Sequence, residues 1–179
     1  MPRRSYRLAG VAAFVWGIAG AAAAQEALET AAHSRLMARI AAPDSALAPF
    51  TTDGCSGGLS EIWADVGAAL PAFAEVHGET PPWEACCVTH DRAYHEAGGA
   101  TDAEESYAAR RAADAALRTC VQAEAGGRAA ALHSQYGLGP ETVRTAYVVI
   151  AAAMYRAVRV GGVPCSGLPW RWGYGWPDC

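Results

Sequence analysis

Lysine is absent from all 179 residues. Each of the 14 basic side chains is an arginine, which excludes a Schiff-base lysine, a Ser/Lys dyad and the lysine of a nucleotide-binding P-loop. Charge is sparse at 18% and apolar residues make up 52%, so a disordered tail is excluded and one domain has material for a core. After the first two dozen positions no apolar run approaches the ~20 residues that span a bilayer. The stretch 145–155 is flanked by Arg144 and Arg156 and reads as a packed core helix. Strand alternation and internal repeats are also lacking.

What is present begins with a leader. Arg3, Arg4 and Arg7 precede an uncharged run over 8–24 that ends in Ala22, Ala23 and Ala24, before the polar Gln25 and Glu26. This pattern predicts a signal peptide over 1–24 and a mature domain over 25–179 that is secreted or periplasmic. An uncleaved anchor is the competing reading, but the run is short and rich in alanine and glycine. Without the three leader arginines, acidic groups outnumber basic ones and the formal net charge is about −7. Such a chain offers no basic face for phosphates, and nucleic acid is not an expected partner.

Export decides how the six cysteines are read. Cys55, Cys86, Cys87, Cys120, Cys165 and Cys179 are expected in disulfides, with fifteen pairings open. Zinc at Cys86, Cys87, His90 and His95 is disfavoured, because adjacent cysteines lack the usual spacer and an oxidising compartment removes thiolates.

Leu28, Ala32, Leu36, Met37 and Ile40 predict an amphipathic helix over 26–42. A loop over 46–58 ends in Asp53-Gly54-Cys55-Ser56-Gly57-Gly58. Leu59, Ile62, Trp63, Val66 and Leu70 predict a helix closed by Pro71, and a further helix is expected over 86–97, before Gly98. Thr101 or Asp102 can cap a helix that runs to about Glu124, ahead of Gly126 and Gly127. Pro140 opens a last helix that ends at Gly161 and Gly162. The expected architecture is all-α, cross-linked by disulfides.

Two of these helices carry the chemistry. His90 and Asp91 are adjacent, with Tyr94 one turn on, while Asp114 shares a stripe with Tyr107, Leu117 and Val121. A carboxylate on an apolar stripe needs donors, and an imidazole held by a carboxylate at one nitrogen is free to act as a base at the other. Asp114 as a mere staple between helices is the rival reading. His33, His77, His95 and His133 are expected at the surface. The tryptophan-rich tail over 165–179, with Trp170 and Trp172, reads equally as an interfacial patch or as a lid on the core.

Cys86-Cys87-Val88-Thr89-His90-Asp91-Arg92-Ala93-Tyr94 resembles the C-C-x-x-H-D-x-x-Y helix of secreted phospholipase A2. The string from Asp53 to Gly58 is similar to a form of that family's calcium loop. Asp114, six residues before Cys120, matches the family's second active-site helix. Ala93 and Ala113 stand where many members carry an extra disulfide, so both halves are absent together. The resemblance covers about half of the mature chain, and the segment over 59–85 is an insertion relative to venom-type members. No room is left for their β-hairpin, so compact microbial members are the nearer likeness.

The resemblance implies two antiparallel active-site helices and a calcium loop. His90 would be the general base, Asp114 its orienting carboxylate and Tyr94 the support. Asp91 would bind Ca2+ together with the carbonyls of Gly54, Ser56 and Gly58. The implied disulfides are Cys55–Cys87, Cys86–Cys120 and Cys165–Cys179. The activity implied is calcium-dependent hydrolysis of the sn-2 ester of glycerophospholipids at a membrane surface. The alternative is a non-catalytic relative that binds lipid or protein.

Overall fold

In the computed structural model, which describes residues 26–55 and 59–179, regular structure is helical and no strand occurs among the described residues. The leader expected over 1–24 and the loop residues Ser56 and Gly58 lie outside the described residues. The order is α1 over 26–40, α2 (Leu59–Ala69), α3 (Pro71–His77), α4 (Glu84–His95), a 3₁₀ turn at Ala97–Gly99, α5 (Ala103–Tyr136) and α6 (Pro140–Gly161). No helix among the described residues is long and apolar enough to cross a membrane.

The longest contact joins α5 and α6, which the short link 137–139 turns back along each other. Asp102 caps α5 by accepting from Glu105 N at 2.8 Å, and the Glu105 carboxylate reaches back to Thr101 N at 3.1 Å. This reciprocal exchange fixes the helix start. The helix does not stop near Glu124, as the glycine pair predicts, but continues through Gly126 and Gly127 to Tyr136. Each glycine costs about 1 kcal/mol against alanine, and tertiary contact offsets that cost. Ala125 is buried, Leu132 packs on the core, and Arg128 Nη2 donates to Val76 O at 2.5 Å. The stop falls at Gly137, whose φ of 69° is the left-handed cap.

Pro71 likewise does more than end α2, because it occupies the first turn of α3. Helix α4 begins at Glu84 and ends at His95, two residues short of the expected Ala97, which takes a φ of 55°. Helix α1 buries Ala32 and Leu36 of its expected face and packs Met37 and Ile40 on the core, but its first turn departs from expectation. Leu28 is 75% exposed, whereas Glu29, Ala32, His33 and Leu36 are buried.

The core has two lobes with α4 between them. Trp83, Leu117, Val121, Val143 and Tyr147 surround the first lobe beside Cys86 and Cys87, and Leu36, Tyr94, Ala97 and Trp172 form the second. Disulfides join Cys55 to Cys87, Cys86 to Cys120 and Cys165 to Cys179, the pairs that the resemblance implies.

The tail folds back as a structural lid at Trp172, which is fully buried and donates from Nε1 to Ser106 Oγ at 2.9 Å. Gly173 N and Gly175 N donate to Tyr94 O and His95 O, which satisfies the last carbonyls of α4. Trp170 differs from Trp172 in being 41% exposed.

A Cβ added at Gly126 or Gly127 meets nothing within 4 Å. Gly126→Ala and Gly127→Ala should each stabilise the protein by about 0.5–1 kcal/mol, seen as a higher urea midpoint at unchanged m-value. A lower midpoint would show that α5 breaks at this pair.

Candidate active site

Steps of four along α4 bury two adjacent rows, Cys86, His90, Tyr94 and Cys87, Asp91, His95. The same step along α5 aligns Ser106, Arg110 and Asp114, and the row continues through Leu117 and Val121. Where the two helices meet, His90 Nε2 lies 2.9 Å from Asp114 Oδ1. A carboxylate can only accept, so Nε2 carries the proton and donates it, leaving Nδ1 unprotonated in the neutral ring. Tyr94 OH donates to the same Oδ1 at 2.7 Å, and its ring lies against that of His90 at 4.1 Å. Burial pushes the His90 pKa down, but the carboxylates of Asp114 and Asp91 outweigh it and the net shift is upward.

Behind this pair lies an ionic network. Arg159 Nη1 donates to Asp114 Oδ2 at 3.0 Å, and Arg159 Nη2 reaches both Glu29 oxygens at 2.7 and 2.6 Å. Arg110 donates from Nε to Tyr94 OH at 3.1 Å and pairs through Nη1 with Glu29. Its Nη2 donates to Val158 O and Arg159 O at 2.8 and 2.9 Å, which satisfies carbonyls at the end of α6. Burial raises the Glu29 pKa, but His33 and the two arginines overcome this and hold it at about 2.

In front of the pair is a cavity of about 320 Å³ whose walls include Leu59, Leu117, Met154, Val158 and Trp170. His90, Asp91 and Tyr94 also line it. His90 Nδ1 is 3.9 Å from Asp91 Oδ1. On its other oxygen Asp91 accepts from Thr52 Oγ1 at 2.6 Å, and Thr52 Oγ1 accepts from Gly54 N at 3.1 Å. Thr52 therefore ties the loop to the carboxylate. Gly54 has a φ of 78°, and an added Cβ would lie 2.4 Å from Glu84 Oε1, so this turn requires glycine. Asp91 offers carboxylate oxygen beside this loop, a donor type that suits a hard cation such as Ca2+. Ser56 and Gly58, the other expected ligands, lie outside the described residues.

His90, Asp91, Tyr94 and Asp114 thus converge, while Ala93 and Ala113 face a smaller cavity of about 190 Å³ behind His90. Cys86, Cys120 and Glu124 bring three ligand-type atoms within 4.8 Å, but both sulfurs are committed to a disulfide and offer no thiolate. Two histidines depart from expectation. His33 is fully buried and His95 is 4% exposed, whereas His133 is exposed and His77 half-buried.

Trp172 Nε1 donates to Ser106 Oγ at 2.9 Å, and the Nδ1 atom of His33 lies 2.7 Å from the same oxygen. Burial, the largest influence, lowers the His33 pKa. Ser106, His33 and Glu29 are spaced like a triad, but Ser106 and His33 have no exposure and cannot meet a substrate. Glu29, Arg110, Arg159 and Thr52 escape the sequence reading. The i, i+4 spacing of Glu29 with His33 is a local signal for the first of these.

Comparison with protein-family models, with curated proteins and with solved structures finds no match to the chain.

The depressed Glu29 pKa has a definite sign in stability. From its ordinary 4.5 down to about 2 the unfolded state binds the proton that the folded state refuses, so stability falls as pH falls through that window. Urea unfolding of Glu29→Gln across this range should show less acid destabilisation than wild type, from a lower starting stability. An unchanged acid slope would remove Glu29 from the network.

Proposed function

We propose that the chain catalyses calcium-dependent hydrolysis of the sn-2 ester of glycerophospholipids, in the manner of a secreted phospholipase A2. The reading is carried by one observation: the His90 Nε2 bond to Asp114 leaves Nδ1 beside Asp91 at the wall of an apolar cavity. The sequence motifs support it independently.

In this reading His90 Nδ1 takes a proton from water while the water oxygen attacks the ester carbonyl, with no acyl-enzyme. The proton then passes to the leaving alkoxide, which releases a fatty acid and a lysophospholipid. Asp114 and Tyr94 hold the ring and its tautomer throughout. Asp91 and the backbone of the loop at Gly54, with Ser56 and Gly58, would hold Ca2+. Bound there, such an ion supplies positive charge to the phosphate and to the developing oxyanion. Leu59, Met154, Val158 and Trp170 provide an apolar wall against which an acyl chain can lie and from which bulk water is displaced. A membrane surface supplies the substrate. Three disulfides suit an oxidising site of action, secreted or periplasmic.

Fatty-acid release from mixed phospholipid vesicles should depend on calcium. His90→Gln should cost ~10² to 10⁴ in rate while calcium still binds, because only the proton acceptor is lost. Asp91→Asn should lose calcium affinity and activity together. Asp114→Asn should be milder than His90→Gln, since the base remains. Wild-type protein that binds calcium yet releases no fatty acid would sink the hydrolase reading and leave a binding module.

A further inference from the structure

We infer that Arg159 is a positioning residue for the base: by holding one oxygen of Asp114 it directs the other to His90 and so sets which ring nitrogen meets the substrate. The inference rests on the reading of His90 as a general base. It concerns a residue on α6, outside the two helices that carry the motifs.

A carboxylate turns easily about its last torsion, whose wells are broad, so the plane of an aspartate can tilt away from a histidine that it faces. Asp114 does not have that freedom. Oδ1 takes His90 Nε2 at 2.9 Å and Tyr94 OH at 2.7 Å, while Oδ2 takes Arg159 Nη1 at 3.0 Å. Tilting the carboxylate out of its present plane would strain all three bonds at once. Arg159 is itself immobilised, because Nη2 reaches both oxygens of Glu29, at 2.7 and 2.6 Å, and Glu29 is held in turn by Arg110.

The geometry needs a planar fork. Two nitrogens of one guanidinium serve two carboxylates on different helices, Asp114 on α5 and Glu29 on α1, whereas a lysine ammonium delivers a single point charge. Arg110 does not share the role, since its bonds go to Tyr94 OH, Glu29 and two α6 carbonyls and none goes to Asp114. Arg159 also follows Val158, whose side chain lines the cavity. The clamp on Asp114 and one wall of the substrate space therefore belong to the same turn of α6.

The test compares wild type, Arg159→Gln and Arg159→Lys. One arm measures kcat and KM on a short-chain phosphatidylcholine kept monomeric. The other records ring nitrogen signals of 15N-histidine protein with the ring neutral, His90 being assigned by its loss in His90→Gln. Wild type should show one tautomer, protonated at Nε2. Arg159→Gln should show a mixture of tautomers and lose about 10- to 100-fold in kcat, the usual effect of removing an outer-shell partner, with KM little changed. Arg159→Lys should fall between.

A folded Arg159→Gln with wild-type kcat and an unchanged His90 signal overturns the inference. If Arg159→Gln does not fold, Arg159→Lys decides, since it keeps the charge and loses the fork; wild-type kcat and signal there overturn the inference equally. If wild type hydrolyses no ester, the hydrolase reading fails on its own and the nitrogen signals still decide whether Arg159 sets the tautomer.

Discussion

The Asp114 carboxylate has no solvent exposure, and the placement of four helices follows from what it needs. A buried charge is tolerated only when donors surround it and opposite charge balances it. The donors come from α4 through His90 and Tyr94 and from α6 through Arg159, while α1 supplies Glu29 to close the circuit. Two acids and two arginines make the interior set formally neutral. Breaking one partner leaves an uncompensated charge at a cost of about 3–5 kcal/mol, so the network specifies the arrangement even where it adds little net stability.

Helix α4 is held at both ends by different physics. Near its start, Cys86 and Cys87 bind it covalently to α5 and to the loop. At its end the tail backbone donates to Tyr94 O and His95 O, and Trp172 closes the space beneath. Gly162 completes the seat, for a Cβ there would fall 2.6 Å from Tyr94 Oη. Groups on a helix so constrained keep the sub-ångström geometry that the proposed proton transfer demands, which a loop would not provide.

The segment over 59–85 behaves differently. Neither α2 nor α3 buries a residue, and the pair is held by ring contacts among Trp63, Phe73, His77 and Trp83, with His77 also stacked on Tyr136. Elements with so few buried contacts open at low cost. Leu59 at the start of α2 lines the cavity, so this loosely held unit borders the space a substrate would fill.

Much of this could be read from residue order. The period of apolar residues, the prolines at helix starts and Gly162 after α6 determined an all-α chain, and the spacing of His90, Asp91, Tyr94 and Asp114 determined which groups could meet. These signals are local, because they depend only on helical geometry and the residues within it. The burial of Glu29 in place of Leu28, the passage of α5 through Gly126 and Gly127, and the burial of His33, His95 and Trp172 were decided by tertiary contact alone. Glu29 reads as a solvated charge and Leu28 as core until arginines 81 and 130 positions away reach Glu29 and reverse the preference. No pattern along the chain encodes a partner at that separation, and the desolvation that makes the partner necessary exists only once the helices have packed.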